Sequence, residues 1–173
     1  MAKINIDPVI LGFFIKKPQH GYEVYKELSN PEGIGSVYRL KIGKLYSILN
    51  RLEENGTLQV TVKSDSKRPP KNEYQITLGG RTEFENWMAS PLKRGRDFRV
   101  LFLCKLYFMN KMHEFSLDEI VSLQVQECDK WLSKLEEKET VKGNFEWIVD
   151  EYRKSQIQSL INWLKWCKRN LKS

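Results

Sequence analysis

The fold is narrowed first by residues 42–77, where a helical period gives way to an alternating one. Ile42, Leu45, Leu49 and Leu52 recur at spacings of three, four and three, which puts them on one stripe of an α-helix. The opposite face carries Lys44, Ser47, Asn50, Arg51 and Glu54, and Gly56 follows as a C-terminal stop. Leu58-Gln59-Val60-Thr61-Val62 and Glu73-Tyr74-Gln75-Ile76-Thr77 then alternate apolar and polar residues, as half-buried strands do. Between them lie residues 63–72, where Lys63, Lys67, Arg68 and Lys71 stand against Asp65 alone and Pro69-Pro70 stiffens the chain. A helix followed by a hairpin with a basic, proline-containing tip is the pattern of a wing.

The preceding residues supply the rest of such a unit. Asp7-Pro8 opens a first helix, the carboxylate suited to cap free amides and the proline to the first turn. Val9 to Ile15 are almost wholly apolar, and Lys16-Lys17-Pro18 ends the helix. A second short helix is expected over His20 to Leu28, and Ser29 to Val37, with Asn30-Pro31 and two glycines, reads as loop. The order helix, helix, loop, helix, hairpin describes a winged helix-turn-helix over residues 1–90, with three helices and a two-stranded wing. The third helix is narrow enough for the major groove, where base edges carry a distinguishable donor and acceptor code. The hairpin tip reaches an adjacent phosphate ridge or minor groove.

Beyond a helix through Phe84 and Trp87, the basic stretch Lys93 to Arg99 joins two halves, and residues 91–173 read as helix alone. Phe98 to Met112 is strongly apolar. Ser116 and Glu119 form a capping box for a helix bearing Leu117, Val121, Gln124, Cys128, Leu132 and Leu135. Gly143-Asn144 breaks the chain before a last helix with an apolar stripe of Ile157, Leu160, Ile161, Leu164, Cys167 and Leu171. That stripe is the expected seam of a homodimer. The fold class is mainly α, a winged helix-turn-helix followed by an all-helical dimerisation domain.

Composition agrees with this class. Hydrophobic residues at 40% and aromatics at 12% suit a globular chain, and a net charge of +7 favours an anionic partner. No apolar run approaches the roughly 18 residues of a membrane span, and Met1-Ala2-Lys3 leads into a capped helix without an apolar leader. A cytoplasmic protein with no membrane partner is therefore expected. Cys104, Cys128 and Cys167 are far apart in helical patterns and read as buried, reduced thiols. His20 and His113 are the two histidines, neither near a cysteine, so no metal site is expected. A Gly-rich phosphate loop, metal-ligand spacing and a nucleophile elbow are all missing, which argues against an enzyme and against a cofactor.

Four segments resemble the PadR family of transcriptional regulators. Lys17-Pro18-Gln19-His20-Gly21-Tyr22-Glu23 is similar to the family's Gly-Pro-x-His-Gly-Tyr-Glu, and residues 45–56 resemble its Leu-Tyr-Pro-x-Leu-x-Arg-Leu-Glu-x-x-Gly. Residues 67–77 resemble the wing with its returning strand, and Gly80 to Trp87 the helix after it. From Arg96-Asp97-Phe98 onward the pattern is similar to the longer, virulence-activator type, in which a helical domain dimerises. The resemblance implies a repressor, or occasionally an activator, binding a double-stranded DNA operator as a homodimer and answering in some members to a small-molecule effector. Its alternative is a winged-helix adaptor that binds protein and no DNA. Lys41 and Lys44 stand where the family usually has small hydroxyl residues, and Ser47 where it has proline.

The residues expected to meet DNA are Tyr22, Lys41, Lys44, Tyr46, Ser47, Asn50 and Arg51, with Lys63, Lys67, Arg68 and Lys71 on the wing. Arg51 has two readings, a DNA contact or a salt bridge to Glu53 or Glu54. His20 is read as structural. Trp131, Trp147, Trp163 and Trp166 are read as core or dimer seam before a ligand pocket.

Overall fold

The computed structural model describes residues 4–65 and 68–171, apart from the side chains of 63–71. The elements are α1 (Asp7–Gly12), β1 (Gln19–His20), α2 (Gly21–Ser29), a 3₁₀ turn (Ile34–Ser36), α3 (Ile42–Glu54), β2 (Leu58–Asp65), β3 (Arg68–Ile76) and α4 (Leu78–Ala89). The all-helical remainder is α5 (Gly95–Met112), α6 (Leu117–Glu136) and α7 (Phe145–Asn170). This is the winged helix-turn-helix followed by helices that the sequence pattern indicates.

Helix boundaries follow local chemistry. Thr77 Oγ1 accepts from the Gly80 amide at 3.1 Å, Ser116 Oγ from that of Glu119 at 3.3 Å and Asn144 Oδ1 from that of Trp147 at 2.7 Å. Each satisfies an amide that a helix start leaves free. The cap expected from Asp7 does not form. Ile6 occupies that position without a side-chain bond, and the Asp7 carboxylate turns to Arg51 instead. Part of the basic stretch expected to link the halves is helical: α5 begins at Gly95, with buried Asp97 in its first turn held by Arg94 Nε at 2.7 Å.

The sheet has three strands in the order β1-β3-β2, all antiparallel, where the sequence suggests two. The added strand is a two-residue pairing, Gln19 with Tyr74 and His20 with Glu73. Its signal is too short for an alternating pattern. His20 Nδ1 bonds the Asn72 carbonyl at 2.9 Å, and the buried Gln19 side chain donates to the Phe13 carbonyl. The hairpin strands also run further than expected, pairing Lys63 with Lys71 and Asp65 with Arg68. Pro69 and Pro70 fit inside β3 because β1 covers it at Glu73 and Tyr74, leaving that edge free of β1 at the prolines.

One continuous core joins the winged unit to the later helices. Phe108 of α5 lies edge-on to Phe13 at 5.4 Å and to Phe84 of α4 at 5.3 Å. The approach is close enough that a Cβ added at Gly12 in α1 falls 2.6 Å from both the Phe108 and the Phe84 rings. Gly80 is as restricted, since a Cβ there meets the Thr57 carbonyl oxygen at 2.1 Å. At the other end of α5, Phe98 stacks on Phe102 at 4.7 Å and both meet Trp163 of α7 edge-on.

That packing revises the expected dimer seam. Ile157, Ile161, Leu164 and Cys167 are buried within the single chain, Leu160 is half-buried, and Leu171 alone of the six is exposed. The stripe faces inward because α7 lies along α6 and beside α5, whose aromatic face needs cover. All three cysteines are free and buried, and burial pushes the Cys104 thiol up to about 12 and that of Cys128 to about 11.

Polar clamps fix the junction at residues 90–95. Gln124 of α6, fully buried, accepts from the Leu92 amide at 2.7 Å and donates to the Leu92 carbonyl at 3.2 Å. Lys105 of α5, 1% exposed, donates to the carbonyls of Met88 and Ser90 at the end of α4, with its ammonium 5.2 Å from the Trp87 ring. Burial lowers the Lys105 pKa to about 8. Because the folded value lies below the unfolded one of about 10.4, the unfolded chain binds more protons between them. Stability from this group therefore rises as pH climbs from about 8 to about 10.4. The difference in unfolding free energy between wild type and Lys105→Met, measured by urea titration at pH 7.5 to 10, is expected to carry that upward slope. A pH-independent difference would place Lys105 outside this linkage.

Candidate nucleic-acid interface

The site is built on α3. Leu45, Ile48, Leu49 and Leu52 are buried at 1% exposure or less, which fixes the rotation of the helix. Ile42, assigned to the inner stripe from its spacing, is 41% exposed, and Ile48 takes its place in the core. The first turn of α3 carries Ile42 past the edge of the packed helices. Lys41, Gly43, Tyr46, Ser47 and Asn50 consequently share the exposed face, where a Cβ added at Gly43 meets nothing within 4 Å. Lys44 is half-buried and engaged within the protein, so it stands at the margin of that face.

The start of this helix is electropositive. Lys41 is the N-cap residue and makes no side-chain cap, and no acidic residue sits in the first turn. The free amides, the positive end of the helix dipole and the Lys41 ammonium group all act with one sign. Ser47 Oγ donates to the Gly43 carbonyl at 2.9 Å. Its single proton is thereby used, and its oxygen keeps acceptor capacity toward solvent.

α2 crosses α3 at Gly21, where a Cβ would fall 2.9 Å from Leu49 Cδ1 and 3.1 Å from the Tyr46 ring. Absence of a side chain here lets the helices close; Tyr22 at the start of α2 is 52% exposed and Tyr46 on α3 is 37% exposed. Lys26 places its ammonium 5.0 Å from the Tyr22 ring centroid. That cation was not among the sequence candidates, although its i+4 spacing from Tyr22 is the signal for it. His20 closes the arrangement from behind: its amide donates to Glu23 Oε2 at 3.0 Å while its ring holds Asn72 of the hairpin.

Leu58 and Tyr74 anchor the two hairpin strands in the core, while Thr61 is exposed and Val62 is 61% exposed. Lys67 lies outside the described residues, as do the side chains of Lys63, Arg68 and Lys71. Arg51 is paired with Asp7 of α1 rather than with Glu53 or Glu54. Its charge thus ties α3 to the start of the chain.

A helix presented on a helix-turn-helix scaffold beside a projecting hairpin defines the class: a winged helix-turn-helix domain. Residues 10–86 match the model of the transcriptional regulator PadR-like family. A probable transcriptional regulator of Mycobacterium tuberculosis, Rv1176c, is 29% identical over 90 residues, which is 52% of this chain and 47% of that protein. This chain thus spans about half the length of that relative. An uncharacterised protein of Lysinibacillus sphaericus is 27% identical over 77 residues, 44% of this chain and 69% of its own. The crystal structure of Bacillus subtilis PadR in complex with operator DNA aligns over 95% of this chain and 96% of its own, with a TM-score of 0.50 and 19% identity. At that identity the likeness is one of fold, and it extends through the helical remainder.

The Arg51–Asp7 pair gives a direct test of how α3 is held. Its side chains are 44% and 16% exposed, so solvent screens the pair. A double-mutant cycle of Arg51→Ala and Asp7→Ala is expected to give a coupling of about 0.2–1 kcal/mol in unfolding free energy. Zero coupling would free Arg51 for another role.

Proposed function

We propose that this protein is a sequence-specific regulator of transcription that acts as a homodimeric repressor on an inverted repeat in double-stranded DNA. Residues 1–90 serve as the DNA-binding domain and residues 91–173 as the dimerisation domain. The observation that carries the reading is the exposed, electropositive start of α3, with Lys41, Tyr46, Ser47 and Asn50 on one face and no acidic residue in its first turn. Such a face suits a polyanion whose base edges offer complementary donors and acceptors.

The roles divide by chemistry. Lys41 and the first amides of α3 take phosphate oxygens, as do Tyr22 with its neighbouring Lys26 and the wing cations Lys63, Lys67, Arg68 and Lys71. Asn50 matches the N6 and N7 pair of adenine, and Ser47, with its proton already committed, accepts from an amino group of adenine or cytosine. Lys44, at the edge of the face, donates to guanine or to phosphate. Arg51 braces the helix through Asp7. A symmetric dimer sets its two α3 helices in successive major grooves, roughly 34–36 Å apart or a multiple of that.

Two variants separate these roles. Lys67→Ala, Arg68→Ala and Lys71→Ala together are expected to weaken binding to all sequences and to lower the log–log salt slope by about 0.9 per lost phosphate contact. Asn50→Ala is expected to lose about 1–3 kcal/mol of discrimination at one base pair per half-site while leaving random DNA nearly unaffected. Fluorescence anisotropy over a salt series, on operator fragments enriched by the purified protein, reads both. Failure of the wild-type protein to retard any DNA would overturn the reading and favour the adaptor.

A further inference from the structure

The turn that joins α2 to α3 shares a cleft of about 650 Å³ with the C-terminal helices. One face of α5 buries Phe102 and Phe108 in the core, while Leu103, Leu106 and Met109, spaced by three, stay half-buried against this space. Val37 faces them from the turn, and Phe115 before α6 and Leu171 after α7 complete the lining. The volume lies within the range of small-molecule sites, roughly 300–1,000 Å³. The chain thus leaves an apolar stripe of its central helix without a full cover, directly behind the segment that leads into α3.

Charge sets this cleft apart from the rest of the surface. With its histidines neutral the chain carries a net charge of +7, yet Glu32 is the one formally charged residue that lines the cleft. The Glu32 carboxylate is exposed and has no cationic partner among the described residues. Glu27, on α2, is different: Tyr107 and Lys111 both donate to it, at 3.0 and 2.6 Å, so its charge is already met. The Glu32 loop lies close to α5, since a Cβ added at Gly33 would sit 3.7 Å from Tyr107 Cε2. His113, which caps α5 in the left-handed conformation at φ 53°, and Asn110 also line the cleft. Their side chains have no hydrogen-bond partner among the described residues. An unpaired carboxylate beside an apolar wall is screened less than one in open water, and it selects a cation.

We propose that this cleft is an effector site for an amphipathic amine, whose apolar body lies against Val37, Leu106 and Met109 and whose ammonium pairs with Glu32, with Asn110 and His113 as further polar contacts. The proposal rests on the DNA-binding reading above and adds a regulatory ligand to it. Position supplies the coupling. The Val37 and Tyr38 amides both donate to the Ile34 carbonyl at 3.0 Å, and Ile34 is 1% exposed. Gly35 is packed so tightly that a Cβ there would meet the Asn30 carbonyl oxygen at 2.5 Å. The turn therefore moves as one body, and Lys41, the N-cap of α3, follows a few residues on. A ligand that bridges the turn and α5 favours one placement of the start of α3 relative to the C-terminal helices. Operator DNA, gripping the exposed face of the same helix, favours its own. Whatever factor the amine imposes on operator affinity, the operator must impose on that of the amine.

The test uses three probes that share one ring system and differ in charge: naphthylmethylamine, naphthylmethanol and naphthoate. Isothermal titration calorimetry on the full chain is expected to rank them in that order, with the amine about tenfold tighter than the alcohol. Glu32→Gln is expected to remove that advantage and leave the alcohol unaffected, with circular dichroism and Tm as in the wild type because Glu32 is exposed. Leu106→Trp, which fills the cleft, and Asn110→Trp, which narrows it from an exposed position, are each expected to weaken all three probes. At saturating amine the operator dissociation constant is expected to change about fivefold or more, and saturating operator to change that of the amine by the same factor. A chain that prefers naphthoate, or amine binding that survives both tryptophan variants, overturns the site. An operator affinity indifferent to the amine overturns its regulatory role. A wild-type chain that binds the amine as described and retards no DNA overturns the transcriptional reading and leaves the amine site standing.

Discussion

Burial of α5 is the constraint on which the rest of the molecule depends. Its C-terminal half drives Phe108 between α1 and α4, and its N-terminal half carries Phe98 and Phe102 under Trp163 of α7. Fully burying an aromatic of this size stabilises by about 1.5–3 kcal/mol, and these rings are distributed over both halves of the chain. Removing α5 would therefore expose the back of the winged unit and the inner face of α7 together. For this reason the winged unit and the later helices share one core.

Polar contacts then fix orientation, which apolar burial alone leaves loose. Lys105 and Gln124 bond the backbone at the end of α4 and along the junction, where groups without partners would be costly to bury. At the far end of α5, Tyr107 and Lys111 both donate to Glu27 of α2, at 3.0 and 2.6 Å. α2 in turn meets α3 at Gly21, whose missing side chain leaves room for Leu49 and the Tyr46 ring. The exposed face of α3 is thus connected through α2 and α5 to the C-terminal helices.

Much of the winged unit was legible in the residues. The change from a helical to an alternating period at Gly56 located α3 and the hairpin, and the Ser116 start was readable because capping is a local matter of one oxygen and one amide. The β1 strand was hidden, since two residues carry no periodicity and their pairing with Glu73 and Tyr74 is distant in sequence. Ile42 and Ile48 were exchanged for a related reason. Spacing gives the width of a helix stripe, while its rotation depends on where neighbouring helices end. Arg51 went to Asp7, far away in the chain, instead of to a glutamate on its own helix.

The last helix shows most clearly where sequence stops and packing begins. The apolar residues of α7 declared a helix that must bury one face, and its leucines and isoleucines determined which side would go inward. They did not say whether that side meets another protomer or the same chain. The burial of Ile157, Ile161 and Leu164 within the monomer was decided by the aromatic face of α5 and the adjoining α6. The same arrangement left Phe145, Ile148 and Tyr152 in solvent. The physical reason is that hydrophobic burial has no preferred partner: the sequence states how much surface must leave water, and the three-dimensional packing assigns the surface that covers it.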